Sequence, residues 1–308
     1  MKAIQINSYG GAEVLEINEN VPKPSTSKGQ VLIEVHAASL NPVDWKIRAG
    51  YLKDYFPLKF PVTMGGDFSG VISEIGEEVF GYKVGDSVYG QASILGGGSG
   101  SFAQYAAAST TKISHKPNIL SDEEAAAIPL AGVSAFQALE EHIKLKSGQK
   151  ILIHGGAGGI GTFALQIAKS TGAYVATTVN AKDKEFVKSL GADPVIDYKS
   201  ESFEKMLSDF DAVFDTVGGE TLDKSFQVLK SGGIIVSMMG EPNEALAKKY
   251  GVIAIGQNTD GTTEKLNRLA KLVDEKKIKV EVDKVFSFSE AKEAFKELEQ
   301  GHPRGKVV

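Results

Sequence analysis

A chain of 308 residues exceeds the size at which a single hydrophobic core usually stops growing, so two domains are expected. Its 39 acidic against 34 basic residues give a formal net charge of −5 and a pI near 5.7 with no Arg/Lys-rich block, which argues against nucleic acid as a main partner. Cysteine is absent, and with it disulfides, thiolate nucleophiles and every cysteine-based metal site.

The first residues, Met1 to Ile6, alternate like a strand and lack the apolar core of a signal peptide. No run of about 18 apolar residues occurs anywhere, so no membrane association and a cytoplasmic location are expected. Short alternating segments broken by glycine and proline follow, at Gln30 to His36, Gly70 to Gly76 and Asp86 to Gly90. They predict a compact β domain over 1–118. The stretch Gly96 to Ser101 is expected to be a flexible surface loop. At Ser121 the texture changes: Ser121 with Glu124 three residues on predicts a capped helix start ahead of Ala125-Ala126-Ala127.

From here to 261 strand and helix alternate. Strands are predicted at Ile151 to His154, Tyr174 to Thr178, Pro194 to Asp197, Asp211 to Asp215 and Gly233 to Met238, with Gly251 to Gly256 as an outer strand. Helices are predicted at Thr162 to Ser170, Lys182 to Leu190, Ser202 to Ser208 and Glu220 to Leu229. This is the pattern of an α/β, doubly wound parallel sheet covered on both faces. The remainder, 262–308, gives a helix near Thr263 to Glu275, a strand near Lys279 to Val285 and a helix at Ser289 to Gln300.

One segment carries most of the chemistry. Lys150 to Gly161 reads as strand then glycine turn, and Thr162 to Lys169 as helix. Gly156, Gly158 and Gly161 match G-x-G-x-x-G, in which one glycine turns the chain, the second lets backbone approach a pyrophosphate and the third lets helix and strand pack closely. The pyrophosphate would sit on a helix N-terminus. An Asp or Glu about 20 residues on would bond the ribose 2′-OH of NAD; here the second strand ends instead in Asn180-Ala181-Lys182. Asn180 can donate a hydrogen bond and Lys182 can neutralise charge, which predicts NADPH. The alternative is a solvated Lys182 at a helix start beside Asp183.

Taken together with Ala38 to Lys46, Met64 to Ile72, Gly81 to Gly90, Pro129 to Phe136, Asp211 to Gly219 and Gly305 to Val308, the chain resembles the medium-chain dehydrogenase/reductase superfamily. Within it, the likeness is to the zinc-free, zeta-crystallin-like quinone oxidoreductase and alkenal reductase branch. The resemblance implies a GroES-like catalytic domain over 1–118 and 262–308 and a Rossmann NADPH-binding domain over 119–261. Zinc relatives hold their catalytic metal through Cys, His and Cys; the corresponding places are Asn41, Gly66 and Leu130, so no metal is expected. The five histidines, His36, His115, His142, His154 and His302, lack ligand spacing, and His154 is expected to help hold the glycine turn.

Without a Lewis acid, oxidation of an alcohol lacks stabilisation for the alkoxide, whereas hydride transfer to an enone or quinone leaves a delocalised anion that hydrogen bonds can stabilise. The resemblance implies Asn41 as such a donor, Lys46 on the ribose-phosphate side of the cofactor, and Tyr51 as either proton donor or aromatic wall. Asp44 is expected to orient Lys46 or a backbone amide, and Asp67 to be structural. Further implied cofactor contacts are Val133 and Ser134 beside the nicotinamide, Gly159 and Ile160 at the pyrophosphate, and Tyr198 near the adenosine. Thr216 is expected at a strand end, Met238, Met239 and Gly240 along the nicotinamide loop, and His302 and Arg304 at the phosphates. Two rival readings are an enoyl-thioester reductase and a low-turnover NADPH-binding redox sensor or structural protein. The apolar edge strand at Val252 to Ile255 predicts a homodimer.

Overall fold

The computed structural model describes all 308 residues, Met1 to Val308, and the chain divides into two compact units. The first comprises Met1–Ala131, Gly261–Asp274 and Val280–Val308; the second comprises Gly132–Asp260 with Glu275–Lys279. In chain order the first unit opens with β1 (Ala3–Ile6), β2 (Leu15–Asn18), β3 (Gln30–Ser39), α1 (Pro42–Arg48), β4 (Val62–Thr63), β5 (Asp67–Ile75), β6 (Ser87–Gln91), β7 (Tyr105–Ser109), β8 (Ile113–His115) and α2 (Asp122–Ala126). After α3 (Pro129–Phe136) and a π-helical stretch at Gln137–Ile143 come β9 (Lys150–His154), α4 (Gly159–Ser170), β10 (Tyr174–Val179), α5 (Lys184–Ser189), β11 (Val195–Asp197) and α6 (Phe203–Met206). They continue with β12 (Phe210–Asp215), α7 (Gly219–Ser225), β13 (Leu229–Ser237), α8 (Glu244–Tyr250) and β14 (Ile253–Gly256). The chain closes with α9 (Thr263–Asp274), β15 (Val282–Lys284), α10 (Ala291–Gln300) and β16 (Lys306–Val307).

In the first unit, β7-β3-β5-β6-β8 form an antiparallel sheet, with β2-β1-β4 and the parallel pair β15-β16 beside it. Register shifts in the β3–β5 ladder curl that sheet around a core of Val31, Ile33, Phe68, Ile72, Val88 and Ile113. The capping box at Ser121 forms as predicted: Glu124 N–H donates to Ser121 Oγ (3.2 Å) and Ser121 N–H to Glu124 Oε2 (3.0 Å). Asp122 then fastens α2 to this sheet, accepting from Ser69 Oγ (2.8 Å) and facing His36 Nδ1 (3.0 Å). That is why the first unit runs on to Ala131.

The stretch Gly96 to Ser101 is a loop with Gly96 and Gly97 at the surface, as expected, but its far end is anchored. Gly98 N–H donates to Ser93 O (2.9 Å), Gly100 N–H to Ala92 O (2.8 Å) and Ser101 N–H to Gly65 O (3.3 Å), which buries Gly100 and Ser101.

The second unit is a six-stranded parallel sheet of order β11-β10-β9-β12-β13-β14, the doubly wound order 3-2-1-4-5-6. Leu152, Ala176, Val213 and Ile235 of adjacent strands share one core with Phe203, Phe210 and Phe226, because strands covered on both faces can be apolar throughout. Only Val282–Lys284 of the predicted strand at 279–285 is extended. Gln166 of α4 captures its start, donating to Lys279 O (2.9 Å) and accepting from Lys279 N–H (2.8 Å) as a neighbouring strand would. No helix is long and apolar enough to cross a membrane.

Candidate active site

Every strand of the parallel sheet ends at the same edge, and five of the six ends, all but that of β14, are followed by predicted cofactor residues. After β9 the chain turns at Gly155 (φ +72°), and Gly158 N–H closes the turn on Gly155 O (3.0 Å). A methyl at Gly156 would stand 2.1 Å from Thr177 Oγ1, and one at Gly161 would stand 2.2 Å from Gly155 O. These two glycines are therefore demanded by strand and helix packing. Gly158 differs: a methyl there would meet only Gly155 O at 3.4 Å, so the space above its backbone is open. Gly158 is the N-cap of α4 and caps it with no side chain, so the first-turn N–H groups of Gly159, Ile160 and Gly161 lack intrahelical acceptors. First-turn N–H donors of this kind can hold a pyrophosphate.

His154 supports this turn, as expected. Its ring is buried between Thr178 Oγ1 (Nδ1, 2.9 Å) and Ser225 Oγ (Nε2, 2.8 Å) and makes a T-shaped contact with Phe203. Burial pushes its pKa down to about 3, so the imidazole is neutral. Its carbonyl accepts from Thr216 Oγ1 (2.8 Å), which ties the end of β12 to the end of β9.

Elsewhere along the edge, Asn180 caps the short turn after β10 by accepting from Lys182 N–H (3.4 Å), and Lys182 is exposed. Tyr198 follows β11 and is exposed. Met238 and Met239 follow β13, with Met238 N–H on Asp215 O (2.9 Å) and Met239 N–H on Ser237 Oγ (3.0 Å); Gly240 has φ +113°. Val133 and Ser134 of α3 are buried, and the Ser134 hydroxyl is committed to Thr259 Oγ1 (2.7 Å). Sequence reasoning missed Gln137, whose amide holds Asn258 O (3.0 Å) and Asp260 N–H (2.9 Å), and Gln257, which donates to Ser134 O (3.0 Å). Glutamines in apolar helices and at strand ends were the available signal.

In the first unit a second constellation surrounds Asn41, the residue that precedes α1. Asn41 N–H donates to Asp44 Oδ2 (2.7 Å), so Asp44 orients a backbone amide rather than Lys46. The Asn41 side chain donates to Asp67 Oδ2 (2.9 Å) and accepts from Lys306 Nζ (2.5 Å), which also donates to Leu40 O (2.5 Å). Asp67 further accepts from Gln91 Nε2 (3.0 Å) and from Leu130 N–H (2.9 Å). Asn41 and Lys306 are only 3% and 4% exposed.

Burial pushes Asp44 up to about 7 and raises Asp67, with the Lys306 ammonium pulling both back. Burial likewise lowers Lys306, and the two carboxylates oppose that. Three fully charged groups would carry one net negative charge. Retention of a proton by Asp44 makes the cluster neutral. Lys306 lies in the Gly305-Lys306-Val307-Val308 segment, and its role was not foreseen. A lysine directly before Val307 and Val308 was the only local signal.

Lys46 is half-buried with Nζ 5.9 Å from the Trp45 ring, and Tyr51 is 69% exposed with its ring edge-on to Trp45. His302 and Arg304 are exposed. No group of three or more His, Cys, Asp or Glu is placed to hold a metal ion. A cavity of about 730 Å³ in the first unit, lined by Ile4, His36, Phe102, Phe286 and Val308 among others, includes none of the predicted site residues.

Known proteins resemble this chain over its whole length. Residues 27–118 match the family of alcohol dehydrogenase GroES-like domains, and residues 190–308 match that of zinc-binding dehydrogenases. The chain is 40% identical to a 2-methylene-furan-3-one reductase of Solanum lycopersicum over 318 residues, covering all of this chain and 78% of that protein. The solved quinone oxidoreductase of Coxiella burnetii superposes with a TM-score of 0.91 at 38% identity, covering 100% of this chain and 98% of that one. The Escherichia coli quinone oxidoreductase complexed with NADPH superposes with a TM-score of 0.89 at 27% identity over the full length of both.

Proposed function

This chain belongs to the quinone oxidoreductase and alkenal reductase branch of the medium-chain dehydrogenase/reductase superfamily, and on that premise we propose that it reduces quinones or α,β-unsaturated carbonyls with NADPH and without zinc. The observation that carries the zinc-free part is the donor set around Asn41. Gly66 offers no side chain, Leu130 gives only a backbone N–H already held by Asp67, and the Asn41 amide oxygen is taken by Lys306. Soft or imidazole ligands that a catalytic zinc requires are missing there.

The bound nicotinamide supplies hydride, and the rest falls to side chains and backbone. The first turn of α4 holds the pyrophosphate at Gly158, Gly159, Ile160 and Gly161. Asn180 and Lys182 receive the 2′-phosphate, with no acid at that position to repel it. Tyr198 flanks the adenosine, while Val133, Ser134, Thr216, Met238, Met239 and Gly240 surround the nicotinamide, and Lys46 takes the ribose-phosphate side.

Hydride addition to an enone or quinone leaves negative charge on oxygen. Asn41 has one amide proton beyond the one given to Asp67, and this proton meets that oxygen. The Lys306 ammonium on the same amide's oxygen polarises it toward donation, in a buried setting where such effects are strong. Tyr51 then delivers a proton or serves as a wall. We place the protein in the cytoplasm, where a chain without cysteine needs no oxidising environment, as a homodimer joined at β14.

A cofactor-oxidation screen tests this reading, with NADPH and NADH each against a naphthoquinone, a short enal, an enoyl thioester and a simple ketone. Consumption of NADPH with the quinone or enal, and none with the ketone, is expected. Turnover only with the thioester would move the substrate class. Lys182→Glu is expected to weaken NADPH at least ~10-fold, about 1.4 kcal/mol, while leaving NADH nearly unchanged.

A further inference from the structure

Across the whole chain three buried side-chain polar atoms have no hydrogen-bond partner: the hydroxyls of Ser39 and Ser101, and Oε1 of Gln257. Hydroxyls can rotate, but an amide oxygen is fixed once its nitrogen is placed. Gln257 follows β14 and is 6% exposed. Its nitrogen donates to Ser134 O (3.0 Å) and to Met238 Sδ (3.3 Å), and reversing the amide would set two carbonyl oxygens against each other. So the oxygen faces away, without a donor.

The surroundings hold this amide still. Gln257 N–H donates to Ser237 O (2.8 Å), and the following residues are bound through Asn258 O and Asp260 N–H to Gln137 and through Thr259 to Ser134. The two bonds to Gln137 rest on the π-helical stretch after α3, a geometry that recurs at functional sites. An unpaired acceptor fixed this firmly stays unpaired unless something arrives to bond it, at a cost that a donor relieves. Against the amide lies Met238, an unbranched side chain whose sulfur is a weak acceptor and is readily displaced.

The neighbours Ser134 and Met238 are residues assigned above to the nicotinamide, and this inference rests on that assignment. The nicotinamide head carries one polar donor, the carboxamide N–H2. We propose that Gln257 Oε1 accepts a hydrogen bond from the carboxamide of the nicotinamide, so that Gln257 fixes which way the ring lies and selects a carboxamide at that position.

Calorimetric titration with oxidised dinucleotides tests this without turnover. The intact protein is titrated with NADP+ (or NAD+, if that binds tighter) and with the matching 3-acetylpyridine and thionicotinamide analogues. The acetyl analogue lacks the N–H donor, whereas the thioamide keeps it. Wild type is expected to bind the acetyl analogue about 10-fold more weakly than the parent, the loss of about one neutral hydrogen bond, and the thioamide within about 3-fold. In Gln257→Met the parent and acetyl analogue are expected within about 2-fold of each other. Equal wild-type affinity for parent and acetyl analogue would overturn the proposal even if the variant does not fold, as would an undiminished ratio in a folded variant. Failure to bind any of the three would instead overturn the cofactor reading on which the proposal rests.

Discussion

Lys306 sets the charge of the buried group around Asn41, and its removal leaves Asp44 and Asp67 with no cation. Lys306→Met is expected to destabilise the fold by about 3–5 kcal/mol in urea titrations at pH 7, the usual consequence of breaking a buried ion group from one side. Adding Asp67→Asn should recover part of that loss. His154 gives a pH signature. Its native pKa lies near 3 against 6.5 unfolded, so below pH 6.5 the unfolded chain binds the extra proton and stability falls as pH falls. Asp44, raised from 3.8 to about 7, acts in the opposite sense across pH 4 to 7, where the native state holds the extra proton and stability falls as pH rises. The two partly cancel in wild type, so the informative quantity is a difference. The stability advantage of wild type over His154→Asn is expected to shrink by about 2 kcal/mol between pH 7 and pH 5 in urea melts; a constant difference would show that His154 does titrate when folded.

The strand, glycine turn and helix from Lys150 to Ser170 form the element most legible in the sequence, because turn, strand period and helix period are all local. The structure adds which glycine does what. Gly156→Ala and Gly161→Ala are expected to destabilise the second unit measurably in thermal melts, since their methyls would meet Thr177 and Gly155 inside van der Waals contact. Gly158→Ala should keep its stability within ~0.5 kcal/mol yet lose at least ~10-fold in dinucleotide affinity, because its open space belongs to the ligand. Equal behaviour of the three variants would contradict that division. Less legible were features fixed by distant partners. Lys306 meets Asn41 across 265 positions, Gln257 meets Ser134 across 123, and Gln166 draws Lys279 into the second unit across 113. No local periodicity reports such pairs. What anchors the far end of the loop at Gly96 to Ser101 was hidden for the same reason: its composition is that of a linker, but its backbone is bonded to Ala92 and Gly65.

For the molecule as a whole, β14 is one of the two edges of the six-stranded sheet, pairing only with β13, and Ile253 on it is 58% exposed. An apolar unpaired edge invites a second copy. Light scattering at micromolar concentration is expected to give twice the 32.8 kDa chain mass for wild type and the single mass for Ile253→Lys; a wild-type monomer would contradict the dimer. The central claim is hydride transfer from a phosphorylated nicotinamide with an ammonium and an amide where relatives place zinc. It is tested most directly by following NADPH oxidation with a naphthoquinone and a short enal, using protein whose zinc content has been measured, before and after exhaustive chelation. The account predicts full activity at well below one zinc per chain and no change on chelation. Activity that scales with bound zinc, vanishes on chelation and returns on adding zinc would contradict it.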